Sequence, residues 1–127
     1  MEDVDDQRIA RYGNAMLVYK IFQEPEWQAM RDAGQSSGAS IDLADGFVHL
    51  STGEQAAETA AKHFAEQSNL VLLAFDSEAM GPELKWEPSR GRALFPHLYR
   101  SLQLDEVLWA RPLPLADGQH VFPDDLR

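Results

Sequence analysis

Cysteine is absent from the 127 residues, which removes disulfides, a thiol nucleophile and thiolate metal ligands, and leaves nothing that calls for an oxidising compartment. Basic residues are scarce: 11 Lys and Arg stand against 21 Asp and Glu, for a net charge of −10. That balance opposes non-specific binding to a long nucleic acid or to an anionic membrane surface, while leaving room for a local basic pocket. No apolar run approaches the roughly 18 residues that a membrane-spanning helix needs, and the acidic start Met1-Glu2-Asp3-Val4-Asp5-Asp6 is the reverse of a signal peptide's basic one. A cytoplasmic protein is the reading. The eight glycines are scattered, so neither a P-loop nor a dinucleotide-type Gly-rich turn is present. A Gly-x-Ser-x-Gly elbow is also missing. The histidines, at 49, 63, 97 and 120, lack the close spacing of a zinc site, and no metal is expected.

What is there has the composition of an ordinary globular protein, 44% hydrophobic and 25% charged. The length suits a single domain, read as residues 15–115, with an acidic flexible leader over 1–14 and an extended tail over 116–127. Residues 16–22 read as a first strand; Glu24-Pro25-Glu26 opens a helix that Gly34 stops. Residues 35–44 read as a Ser/Gly-rich loop. A strand over 46–51 runs into a helix reaching about Gln67, with capping-box spacing at both Ser51/Glu54 and Thr52/Gln55. The six-residue apolar run Leu70–Phe75 suits an interior strand. Residues 84–87 and 106–111 read as two further strands. The class is α+β with a largely antiparallel or mixed sheet.

The chemistry gathers in two segments. In Phe47-Val48-His49-Leu50-Ser51 the alternation sends Val48 and Leu50 to the core and presents His49 with Ser51 on the other face, beside a helix start that favours anions. In Leu94-Phe95-Pro96-His97-Leu98-Tyr99, His97 and Tyr99 share a face if extended. Ser51 is read first as a helix cap. Tyr99 and Trp86 can stack on a ring or wall a pocket. Glu87 is either a site carboxylate or a surface partner of Lys85 or Arg90.

These segments, with Asp45-Gly46, Glu54-Gln55 and Lys85-Trp86-Glu87, resemble the bacterial domain-of-unknown-function family 952, over about Leu17 to Leu113. The resemblance implies an ADP-ribosyltransferase-like fold, a split, mostly antiparallel β-sandwich with flanking helices. A weaker likeness goes to the RNA 2′-phosphotransferases of that fold, whose His-Val-His-Leu-Ser strand precedes a helix and an apolar strand ending in Asp. On this likeness NAD or a nucleotide-ribose phosphate is the ligand, bound by Lys20, His49, Ser51, Trp86 and Tyr99, with Glu87 or His97 stabilising an oxocarbenium-like transition state. The pattern departs where the first strand of such enzymes ends in a His: here Tyr19-Lys20-Ile21 stands, and a lysine donates hydrogen bonds but accepts none. Arg100 stands where the family has Gly and a Gly is expected near Arg92; the two arginines are either cationic contacts to an anion or solvated surface charge. Three functions stay open: an ADP-ribosyl or related transferase, a small-molecule binding domain without turnover, and a protein-interaction module, in a monomer or weak homodimer.

Overall fold

Lys20 is the one charged residue inside the apolar stretch from Leu17 to Phe22, and the fold is arranged to cover that stretch on both faces. In the computed structural model, which describes residues 16–124 and Leu126, the order of elements begins β1 (Leu17–Gln23), α1 (Glu24–Ala33), β2 (Gln35–Ser36), α2 (Ser40–Asp45), β3 (Val48–His49), β4 (Ser51–Thr52) and α3 (Gly53–His63). It continues through β5 (Leu70–Asp76), β6 (Leu84–Pro88), β7 (Leu94–Leu98), β8 (Leu102–Gln103), β9 (Trp109–Leu113), β10 (Leu115–Ala116) and β11 (Gln119–His120). The expected acidic leader, residues 1–14, lies outside the described residues. Among the described residues no helix is long and apolar enough to cross a membrane.

One sheet has the order β4-β1-β5-β9 and another β3-β7-β6, with every pairing antiparallel. The class is α+β, as the sequence predicts. Val18, Phe22, Val71, Leu73 and Phe75 on one face of the first sheet pack with Val48 and Leu98 of the second. The other face, with Leu17, Tyr19, Ile21, Leu70, Leu72 and Ala74, packs against Ala60 and Phe64 of α3 and its C-terminal flank. Covering on both sides explains the unbroken apolar run of β5, which is interior between β1 and β9.

The segment read as one strand over 46–51 is two. Val48 and His49 pair with Leu98 and His97 in the second sheet, whereas Ser51 and Thr52 pair with Tyr19 and Val18 in the first. Leu50 makes the switch, its N–H donating to the Pro96 carbonyl at 3.0 Å. Val48 and Leu50 are buried in the core as their parity predicts. His49 therefore stays beside His97 in the second sheet while Ser51 lies beside Tyr19 in the first.

Other expectations need correction. The loop over 35–44 contains β2 and most of α2. The hydrophobic pattern of α2 is inverted: Ile41 and Leu43 are exposed and Asp42 is buried, so an apolar-face search passes over it. The helix starting at Gly53 ends at His63, not near Gln67, with Phe64 in a non-helical C-cap conformation and Glu66 at φ 62°. The last strand begins at Trp109 because Glu106 is drawn into a turn, its carboxylate accepting from the Gln103 N–H at 3.0 Å and from Arg100. The tail does not run extended: β10 and β11 form a hairpin, His120 Nε2 bonds the Gln67 carbonyl at 2.9 Å, and Phe122 packs on the α3 side of the core.

Candidate functional site

The site is assembled where the two sheets meet at this switch. His49 and His97 are register partners on β3 and β7, and their rings meet edge to face with centroids 5.5 Å apart. Phe47 fixes both, stacking on His97 at 4.3 Å and lying 4.6 Å from the His49 ring and 5.1 Å from Tyr99.

Each imidazole is held by a carboxylate at Nδ1. His49 Nδ1 lies 2.6 Å from Asp42 Oδ1, and His97 Nδ1 lies 2.8 Å from Glu87 Oε1. With both acids ionised, Nδ1 of each ring carries the proton and Nε2 is left for chemistry. His49 Nε2 also sits 3.0 Å from an Asp45 oxygen, an ion-pair contact that sets negative charge beside that nitrogen. No partner for His97 Nε2 is found among the described residues, although His97 is buried.

Asp42 is the anchor of the arrangement. Its carboxylate accepts from Lys20 Nζ at 2.7 Å, from the Ala39 N–H at 2.7 Å, and from both the N–H (2.9 Å) and Nδ1 (2.6 Å) of His49. The Ala39 bond also caps α2, whose N-cap residue has no side-chain oxygen of its own. Burial alone would push the Asp42 carboxyl up, but the His49 hydrogen bond and the Lys20 charge outweigh it and hold the group at about 2. Burial pulls the Lys20 ammonium below its ordinary value against the pull of Asp42. Lys20 spends a second proton on the His49 carbonyl at 3.0 Å. Its charge is thus neutralised inside the fold, and it positions His49 from behind.

Glu87 is held below the ordinary carboxylate range by the His97 hydrogen bond, then by Tyr99, whose hydroxyl donates to the same oxygen at 2.8 Å. The same bond pushes the Tyr99 phenol up.

A cavity of about 620 Å³ opens beside the pair, within the usual range for small-molecule sites. His49, His97, Ser51 and Lys20 line it with Tyr19 and Phe95, and α3 contributes Thr59, Lys62 and His63. The structure therefore brings His49, His97, Ser51 and Lys20 to one cavity. Glu87 and Tyr99 stand behind His97 and do not line it. Trp86 is opposite Pro96 in register, on the face of Leu84 and Leu98, and so points away from the histidines. Ser51 is not the helix cap: Thr52 accepts from the Gln55 N–H at 3.2 Å, and the Ser51 hydroxyl pairs with Thr59 at 2.9 Å. Arg100 is pinned by Glu106 and the Met80 carbonyl and does not line the cavity. Among the described residues no group of three or more His, Asp or Glu side chains is placed to hold a metal ion.

Asp42, Asp45 and Phe47 were not singled out as site residues by the sequence. One signal pointed toward Asp42: a lysine within an apolar, doubly covered strand requires a buried acid. With 21 acidic residues available, the sequence does not say which.

Among curated proteins none matches the chain. Among solved structures, the crystal structure of protein CC0527 from Caulobacter crescentus is 56% identical, with a TM-score of 0.80, over 83% of this chain and 93% of that one. A double mutant of that protein gives 57% identity and the same TM-score, and its solution NMR structure 54% and 0.74 over 82% of this chain and 90% of that one. The family model described as "Protein of unknown function (DUF952)" matches residues 21–110, which include the whole of the strand pair carrying His49 and His97. The chain belongs to the DUF952 family.

Proposed function

We propose that the cavity binds a nucleotide-like ribose phosphate, and that His49 and His97 act on it as an acid–base pair. The observation that carries this reading is the juxtaposition of two histidines across one strand pair, each held at Nδ1 by an ionised carboxylate and both lining the same cavity. Two oriented imidazoles give one site a proton donor and a proton acceptor at neutral pH. Lys62 supplies positive charge in a protein that is otherwise strongly acidic, and the Ser51 and Thr59 hydroxyls suit ribose or phosphate oxygens. Phe95 and Tyr19 offer apolar walls for a base.

NAD remains a candidate ligand, and ADP-ribosyl transfer a candidate reaction, through the resemblance to ADP-ribosyltransferase-like folds. The geometry shifts the roles, however. Glu87 faces His97 instead of the cavity, so it positions the imidazole and does not meet an oxocarbenium centre directly.

Thermal-shift and ligand-observed NMR titrations with NAD, ADP-ribose and ribose 5-phosphate test the reading. At least one should raise the melting temperature saturably, and His97→Ala should abolish the effect while the protein stays folded. Saturable binding untouched by His97→Ala would place the ligand elsewhere. Binding with turnover selects an enzyme; binding without turnover selects a binding domain that keeps the pocket.

A further inference from the structure

We propose that the histidine pair hydrolyses a cyclic phosphodiester of ribose, with His97 as general base and His49 as general acid. This deepens the reading above and rests on it. The two rings, though alike in sequence, are in different hydrogen-bonding states. Nδ1–H of His97 donates to Glu87, and its Nε2 is buried against the cavity without a partner among the described residues. A neutral ring in that tautomer presents a lone pair there, which is what a base requires. His49 is bonded to Asp42 through Nδ1 and has an Asp45 oxygen 3.0 Å from Nε2, where a neighbouring carboxylate favours a proton over a lone pair. A proton held at Nε2 is one that a substrate oxygen can take over from the exposed Asp45. One lone pair and one proton, on rings 5.5 Å apart, match an in-line displacement at phosphorus that needs a proton removed on one side and delivered on the other.

The charge of the cavity points to the class of ester. Lys20 is consumed by Asp42, and Glu26 also lines the cavity, which leaves Lys62 as the cavity-lining lysine without a carboxylate partner among the described residues. A singly charged diester fits that supply better than a monoester dianion. Of diesters, a five-membered ribose cycle has the strained P–O bond that lets an alkoxide depart when only a proton assists it. The Ser51–Thr59 hydroxyl pair lies beside the histidines for the remaining oxygens.

The step balances without a further reactant. His97 Nε2 takes a proton from water as the water oxygen bonds to phosphorus; the opposite P–O(ribose) bond breaks, and the departing oxygen takes the proton from His49 Nε2. Water is added across one P–O bond, and solvent carries a proton from His97 back to His49.

The experiment is phosphorus NMR and chromatography of adenosine 2′,3′-cyclic monophosphate incubated with the full chain, with and without His97→Ala, His49→Ala and His49→Gln. The expected result is multiple-turnover conversion to a single monophosphate isomer, a bell-shaped pH–rate profile, and a loss on the order of 100-fold or more in each variant. His49→Gln keeps a donor for Asp42 and so keeps the fold if His49→Ala does not. Binding of the cyclic ester without hydrolysis overturns the proposal, as does hydrolysis that survives both histidine substitutions. If ADP-ribose or ribose 5-phosphate binds through the histidines while the cyclic ester is left intact, this proposal alone fails. If none of these ligands binds, the ribose-phosphate reading fails with it.

Discussion

His49 and His97 sit on neighbouring strands and face the same cavity, yet the carboxylates that hold them are built in differently. The Asp42 side chain is fully buried, serves four donors from three residues and caps a helix. Glu87 is 37% exposed and serves two side chains through one oxygen. An ionised carboxylate is costly to bury and strongly destabilising to orphan, so the pose of His49 is tied to the integrity of the fold. A half-exposed carboxylate is screened and cheap to alter, so the pose of His97 can change without unfolding anything. One pair is part of the structure; the other is mounted on it.

The sharpest way to break that contrast is to remove the buried acid. Asp42→Ala should cost about 3–5 kcal/mol in denaturant unfolding, because it leaves Lys20 a buried cation and three other donors unanswered. Gly38→Ala should approach the same loss. Gly38 has φ +99°, and a Cβ there would run into the Asp42 carboxylate, 2.6 Å from its Cβ and Cγ. Both effects are read from urea or guanidinium midpoints.

Acid offers a graded version of the same test. Asp42 ionises at about 2 in the folded protein against an ordinary 3.8. Because the folded value is the lower one, the stabilisation is fully present above the ordinary value and is lost as pH falls through about 2. That difference amounts to roughly 2 kcal/mol. Stability measured across this window in wild type and Asp42→Asn should differ in slope, with the variant flatter.

Phe47 joins the two pairs through its contacts with both rings. Phe47→Ala should lower stability by about 1 kcal/mol and broaden the imidazole resonances of both histidines. Smallest in stability is Glu87→Gln, which should leave the melting temperature close to wild type while weakening any activity, since a neutral amide no longer fixes the His97 tautomer. A large drop in stability here would erase the distinction between the pairs.

Much of this organisation was legible because it follows from strand parity. Val48 and Leu50 had to go inward, which put His49 and Ser51 outward, and His97 with Tyr99 followed the same rule. The double-sided apolar run at Leu70–Phe75 announced an interior strand. What stayed hidden depended on contacts distant in sequence or on patterns that misled. The turn of helix around Asp42 exposes its apolar residues and buries its acid, the opposite of what a hydrophobic stripe signals. Lys20 read as a ligand contact because its partner lies 22 residues away. The sheet switch at Leu50 leaves no composition signal, so two short strands looked like one. Trp86 had an aromatic's plausibility, and only its register opposite Pro96 shows which way it faces.

The proposed site requires His49 and His97 to respond to one ligand together. Imidazole NMR during titration with ADP-ribose tests this, with His120, which does not line the cavity, as the internal reference. The His49 and His97 resonances should move together along one saturation curve while His120 stays fixed. Shifts of only one of the pair, two curves with different midpoints, or no response from either would contradict it.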